Sequence, residues 1–270
     1  MASVDNTQRF SDRVAVYVAH RPSYPAAAID FLVEQYHLDA KAATIVDLGS
    51  GTGILSRLLL ERLDKATVIG VEPNEPMRKA GEENLGHFIS SGRFSSISGT
   101  AEETGLDDQC ADLIVAGQAF HWFDVQKSRL ECQRLLGEQD EKGVALIWND
   151  RRGGDGRTST TPFMQEYESL LQKHSKIYAQ VNHHTTVTED VLRQFFGPAG
   201  FEMKQYNNPY IMTHEQLVGR MLSSSYSPQV GEPGHEAMLV GLRQAFAAHE
   251  TAGTIQFEYD TKIMFGKISR

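Results

Sequence analysis

The sequence predicts an α/β fold built on a doubly wound parallel sheet. From Ala42 to Asp150, short β-branched runs alternate with longer segments of helical period. The runs are apolar along nearly their whole length, as expected of a parallel sheet covered by helices on both faces. Size agrees: 270 residues, 40% hydrophobic and 23% charged, hold material for a sizeable core and exclude a disulfide miniprotein or a disordered tail.

The elements follow in order. TIVDL (Thr44 to Leu48) is a buried strand, and Leu55, Leu58, Leu59 and Leu63 then recur at helical spacing. ATVIGVE (Ala66 to Glu72) is the second strand, followed by a helix from about Glu75 to Leu85 and a weaker strand over Arg93 to Ser98. ADLIVA (Ala111 to Ala116) is the fourth strand, Val125 to Leu136 a helix, and GVALIW (Gly143 to Trp148) the fifth strand. Beyond Asp150 the rhythm changes. Thr161-Pro162 opens a helix with Phe163, Tyr167, Leu170, Leu171 and Tyr178 on one stripe, and a second helix, Thr188 to Phe196, stops at Gly197-Pro198. Two strands are expected at Phe201 to Ile211 and Thr254 to Phe265. Between them lie a capping box, Thr213-x-x-Gln216, and an amphipathic helix near Gly234 to His249, together read as an inserted helical lid. The chain divides as one domain over 1–270: an N-terminal helical cap (1–41), a cofactor-binding core (42–150) and a C-terminal part (151–270) with the insertion at about 213–252.

Charge narrows the partners. Twenty-six Lys+Arg against thirty-five Asp+Glu leave −9, so no global attraction draws the chain to nucleic acid or anionic membranes. No apolar run approaches the roughly 20 residues that span a bilayer, and the first residues lack the apolar stretch of a secretory signal. Cys110 and Cys132 have no paired metal-ligand spacing, which suits a reducing compartment and a cytoplasmic location.

The chemistry concentrates at the end of the first strand. TIVDLGSGTG sets Gly49, Gly51 and Gly53 in the turn entering a helix, where glycine lets backbone approach a ligand closely. Neither frame gives Gly-x-Gly-x-x-Gly, because Ile54 and Ser56 stand where the third glycine belongs, which counts against a nicotinamide dinucleotide. Asp47 would repel a pyrophosphate and attract an ammonium at short range. Glu72, nineteen residues after Gly53, ends the second strand, where an acidic side chain accepts hydrogen bonds from ribose hydroxyls. An adenosine joined to a cationic amino acid is S-adenosylmethionine. GTAEETGL (Gly99 to Leu106) and VAGQAFHWFD (Val115 to Asp124) end the third and fourth strands, so all these loops converge on the crevice where open α/β sheets bind ligands.

With those residues in view, the chain resembles the class I S-adenosylmethionine-dependent methyltransferases. It is nearest the small-molecule branch that includes trans-aconitate and quinone-biosynthesis methyltransferases. The resemblance runs from YVAHRPSYP (Tyr17 to Pro25) through VDLGSGTG, VIGVEPNEPM, GTAEE and AFHWFD to the strand at Gly143. It implies a seven-stranded, mostly parallel sheet with an antiparallel last strand. By position it implies that Asp47, Gly49, Ser50, Gly51 and Gly53 surround the methionyl moiety and that Glu72 holds the ribose. Pro73 and Met77 would flank the adenine, Ala101 and Glu102 contact its edge, and Gln118 lie beside the cofactor. Thr100 stands where many relatives carry an Asp that receives the adenine amino group; Glu103 and Asp108 are nearby acidic alternatives.

Methyl transfer is an in-line displacement, so holding donor and acceptor in alignment is the main task. A carboxylate acceptor needs no base, whereas an alcohol, amine or carbon acid does, and His121 is the candidate, set against a packed histidine beside Trp122. The flap segment with Tyr17, Arg21 and Tyr24 reaches the methionine carboxylate or the acceptor by resemblance, arginine being a natural carboxylate clamp. Trp122, Trp148, Asn149 and Tyr226 complete the candidate acceptor wall, with Arg220 and Met221 as lid or core residues. No metal is expected: His183-His184 point apart, and Asn149-Asp150, a conceivable magnesium pair after the fifth strand, more often serve as a cap or turn. A cofactor-binding protein without catalysis and a nicotinamide-dependent oxidoreductase remain as alternatives.

Overall fold

The computed structural model describes residues 14, 20–138, 141–154, 160–178 and 186–268. Helix α1 (Ala26–Gln35) precedes strand β1 (Thr44–Leu48), α2 (Ile54–Arg62), β2 (Thr67–Val71), α3 (Glu75–Asn84), a short α4 (Gly86–Ser90) and β3 (Phe94–Ile97). β4 (Leu113–Gly117), a 3-10 turn (Phe120–Trp122), α5 (Val125–Leu136), β5 (Gly143–Arg151), α6 (Pro162–His174) and α7 (Glu189–Phe196) follow. Then come β6 (Glu202–Asn207), β7 (Tyr210–Met212), α8 (His214–Leu222), α9 (His235–His249), β8 (Ile255–Phe257) and β9 (Tyr259–Gly266). Seven strands form one sheet in the order β3-β2-β1-β4-β5-β9-β6. Only β9 runs antiparallel to its neighbours. This is the doubly wound, mostly parallel sheet the pattern predicts.

Period-two alternation along strands buried on both faces divides the core. Ile45, Leu113, Val115, Ala145 and Ile147 face α1 and α2. Val46, Leu48, Ile114, Ala116, Val144, Leu146 and Trp148 face α5 and α7. Because β1, β2 and β4 are adjacent and parallel, their carboxyl ends meet at one edge, and the loops leaving them share a crevice.

Three expectations change. The runs Phe201 to Ile211 and Thr254 to Phe265 are each two strands: they break around Asn208-Pro209 and at Glu258, and β7 pairs with β8 in a separate ribbon. Pro209 has no N–H to continue the ladder, which accounts for the first break. Second, Asn149 and Asp150 lie within β5, because antiparallel pairing with β9 extends from Val144 to Arg151. Third, the insertion is more than a helical pair. α6, α8, α9 and the β7–β8 ribbon enclose a third core of Phe163, Tyr167, Leu171, Met221, Leu242 and Phe257, so α6 belongs to it. The capping box stands as read: the Thr213 hydroxyl accepts from Gln216 N, and Gln216 Oε1 accepts from Thr213 N. Among the described residues no helix is long and apolar enough to cross a membrane.

Candidate functional site

The first turn is held by backbone before any ligand is considered. Gly49, Gly51 and Gly53 all take positive φ (67°, 56° and 80°), and Gly49 N and Ser50 N donate to Val71 O at 2.8 and 3.2 Å. Asp47 sits inside β1, 1% exposed. Its Oδ2 accepts from Ser56 Oγ at 2.6 Å, and its Oδ1 is buried with no hydrogen-bond partner among the described residues. Burial pushes the Asp47 carboxyl up to about 7; the Ser56 hydroxyl opposes the rise and the nearby Glu72 charge adds to it.

Glu72 has a task that its position at the strand end does not reveal. Its Oε2 accepts from Gly51 N at 2.9 Å and its Oε1 from Asn74 N at 2.8 Å, so it braces the glycine turn against the start of α3. Asn74 in turn caps α3 by accepting from Met77 N at 2.9 Å. Burial raises the Glu72 carboxyl above the usual range, against the two N–H donors and Arg78. Each carboxylate oxygen keeps a second lone pair for a ligand hydroxyl. Glu72→Ala is therefore expected to weaken cofactor binding by about 1.5–3 kcal/mol, the value of hydrogen bonds to a charged group. Unchanged affinity in calorimetry would remove the ribose assignment.

One cleft of ≈ 450 Å³ gathers Arg21, Tyr24, Asp47, Gly49, Ser50, Gly51 and Gln118 from the candidate set, with Gly117 and Thr52 among its other walls. The segment before α1 is clasped in place. Asn149 Nδ2 donates to Pro22 O and Ser23 O, Asn208 Nδ2 donates to Ser23 O, and Ser23 N donates to Tyr210 Oη. Gln118 leaves β4 at φ 59°, a left-handed conformation uncommon for a non-glycine residue, and donates through Nε2 to Asn149 O at 3.3 Å.

Thr52 escaped the sequence reading. Its buried Oγ1 also has no partner among the described residues and belongs to the same cleft. The alternation of small residues in GSGTG was the available signal. Two buried, unpartnered oxygens in one cleft call for a donor-bearing ligand, because such atoms are costly when left unpaired. An ammonium or hydroxyl supplies what they lack, so the residues fit S-adenosylmethionine.

Other candidates lie around the rim or apart. Met77 is buried beside Gly51. Pro73 stands between Glu72 and the Asn74 cap. Thr100 and Glu103 exchange backbone hydrogen bonds in a turn that contains buried Ala101. Glu102 Oε1 accepts from Asp124 N at 2.7 Å, tying this turn to the start of α5, while Asp108 pairs with Arg134. His121 is half-buried, 4.5 Å between ring centres from Trp122, and neither lines the ≈ 450 Å³ cleft. Trp148, 1% exposed, packs on Phe120 in the core and borders a different cavity. Asn149 spends its side chain on the clasp and on Thr261 and Asn208, and Asp150 pairs with Lys262 at 2.8 Å. Tyr226 belongs to the third-core region, and Tyr17 and His183-His184 lie outside the described residues.

Comparison with known proteins finds methyltransferases. Residues 46–139 match the family model described as a methyltransferase domain. Over 163 residues the chain is 39% identical to an uncharacterized methyltransferase of Geobacillus sp., covering 60% of this chain and 71% of that one. It is 37% identical over 148 residues to an uncharacterized methyltransferase of Mycobacterium tuberculosis, and the match covers 54% of each, so the chain spans about half the length of that relative. A provisionally named type II methyltransferase from Anaeromyxobacter dehalogenans superimposes with TM-score 0.62 at 19% identity, over 92% of this chain and 98% of that one, a likeness of fold.

Proposed function

We propose, from the premise that this chain belongs to the methyltransferase family and uses S-adenosylmethionine, that it methylates a small molecule at an O, N or C atom, with a carboxylate or hydroxyl oxygen favoured. The sequence likeness to the trans-aconitate and quinone-biosynthesis branch supports a small acceptor. One observation carries the cofactor part of the reading: Asp47 Oδ1 is buried, unpartnered and in the wall of the glycine-turn cleft. The whole chain is read as a single methyltransferase domain. The free thiols Cys110 and Cys132 suit a cytoplasmic setting.

When bound, the cofactor supplies an electrophilic methyl carbon on a sulfonium. The rest is the work of this chain's side chains. Asp47 and Thr52 offer acceptors to the cofactor's ammonium, and Glu72 offers its remaining lone pairs to the ribose. Gln118, held in its left-handed turn and bonded through Nε2 to Asn149 O, lines the cleft. Arg21 and Tyr24, held by the Pro22–Ser23 clasp, wall the cleft and exclude water from the reacting atoms.

Isothermal titration with S-adenosylmethionine and with a nicotinamide dinucleotide tests the cofactor, and transfer of labelled methyl groups tests catalysis. Capture of the dinucleotide alone would overturn the proposal. His121→Ala separates the acceptor oxygens. Loss of a general base lowers kcat by roughly 10²- to 10⁴-fold for a hydroxyl acceptor, whereas a carboxylate acceptor leaves kcat near that of the parent. Cofactor affinity is unchanged in both cases.

A further inference from the structure

Next to the cleft stand two largely buried guanidinium groups, of which only Arg151 pairs with a carboxylate. Arg151, at the end of β5, donates through Nη2 to Glu168 Oε2 at 3.0 Å and to Tyr178 Oη at 2.6 Å, and through Nη1 to Tyr226 Oη at 2.6 Å. Its guanidinium carbon lies 5.7 Å from the ring centre of Tyr167 and 5.9 Å from those of Tyr178 and Tyr226. Arg220, in α8 and 4% exposed, donates to the Tyr259 hydroxyl, to Ser224 Oγ at 2.8 Å and to Ser223 Oγ at 3.5 Å. Among the described residues it pairs with no carboxylate. A buried guanidinium balanced only by neutral hydroxyls is unfavourable, and a counter-anion removes that penalty.

Two further observations point to a missing ligand. Tyr167 Oη and Arg151 Nε are buried with no hydrogen-bond partner among the described residues, and both belong to this cluster. Burial pushes the Tyr226 hydroxyl up, but Arg151 and Arg220 outweigh it and hold the group below the ordinary tyrosine value, as positive potential at that point requires. The cluster is also connected to open space. Arg21, in the wall of the cofactor cleft, donates through Nη2 to Ser223 O at 2.9 Å, and Tyr226 lines a second cavity of ≈ 800 Å³ with Ser175, Lys176 and Ser227.

We propose that Arg151, Arg220, Tyr167 and Tyr226 form an anion subsite that holds a carboxylate of the methyl acceptor, an assignment that rests on the methyltransferase reading above. The guanidinium groups of Arg151 and Arg220 face the single carboxylate of Glu168, with Arg21 on Ser223 O beside them, so the cluster carries net positive charge that an anion balances. The planar guanidinium forks suit a carboxylate. The subsite selects carboxylic-acid acceptors and places them beside the wall that Arg21 shares with the cofactor cleft.

The test titrates benzoate, succinate and inorganic phosphate into the full chain, with benzamide and succinamide as uncharged controls, following heat of binding and Tm. A carboxylate is expected to bind and raise Tm while its amide does not. Arg220→Met is expected to weaken that binding by about tenfold or more, because a charge-assisted pair is lost. Should Arg220→Met fail to fold, Tyr167→Phe, which removes only an unpartnered hydroxyl, keeps the fold and is expected to weaken carboxylate binding severalfold. Equal carboxylate binding by parent and variant, or none by the parent, overturns the subsite, and tighter binding of phosphate overturns its assignment to carboxylates. S-adenosylhomocysteine titrated separately reports on the methyltransferase reading, so the two failures are distinguishable.

Discussion

Asp47→Asn is expected to weaken S-adenosylmethionine binding by about 10- to 150-fold at pH 7 and to abolish most of its pH dependence below that point. The magnitude is that of a hydrogen bond to a charged group, about 1.5–3 kcal/mol, at 1.36 kcal/mol per tenfold. In the empty protein, burial raises the Asp47 carboxyl to about 7, so below that pH the side chain is mostly neutral and holds an ammonium poorly. Binding a cation favours the carboxylate and releases a proton. Affinity of the parent protein therefore rises between about pH 5 and 7, by up to tenfold per unit, and levels off once Asp47 is ionised. Stability of the empty fold runs the other way. A carboxyl whose pKa is about 7 when folded and about 3.9 when unfolded contributes stability that is fully present below about pH 4 and is lost as pH rises through 7. Calorimetry and Tm measured across that window check both signs, and a parent protein whose affinity is flat from pH 5 to 7 contradicts the assignment.

Gly49→Val is expected to cost roughly 2–5 kcal/mol of folding stability, a large part of the 5–15 kcal/mol typical of a domain. A Cβ at position 49 would meet Ala119 Cβ at 2.6 Å, and Ala119 has no side-chain freedom with which to withdraw. The backbone there has φ +67°, which costs a non-glycine residue roughly 1–2 kcal/mol, and overpacking adds about 1–3 kcal/mol. Because Ala119 begins the turn after β4, the same clash would push apart the two loops that wall the cleft, so cofactor affinity should fall with stability. Gly86→Ala is the control: nothing lies within 4 Å of its Cβ position and its φ is ordinary. Its denaturation midpoint should match or exceed that of the parent. Equal midpoints for Gly49→Val and the parent would show that the turn does not need the left-handed conformation.

Much of the candidate site was legible because it is local. Asp47, Gly49, Ser50 and Gly51 are consecutive or nearly so, and a strand-turn-helix unit brings them together whatever the rest of the chain does. Gln118 and Glu72 could be read for a related reason: parallel neighbouring strands put their carboxyl ends side by side. The acceptor side was less legible. Trp148 looked like pocket wall from its place at a strand end, yet β5 extends three residues further, and the pleat turns the indole into the core against Phe120. Asn149 looked available and is spent on a clasp joining residues far apart in the chain.

Hydrophobic period and turn chemistry alone determined the doubly wound sheet, its switch-point crevice and the glycine turn with its acid, since these depend on neighbours within a few residues. Tertiary structure decided what could not be local. It showed that Glu72 braces the turn through two N–H groups, that Thr52 is a second orphaned oxygen, and that α6 joins the insertion in a core of its own. It also set Arg220 in a buried shell of hydroxyls beside Arg151. The physical reason is desolvation: whether a polar atom is satisfied or left waiting for a ligand depends on which distant segments exclude water from it, and residue spacing carries no record of that.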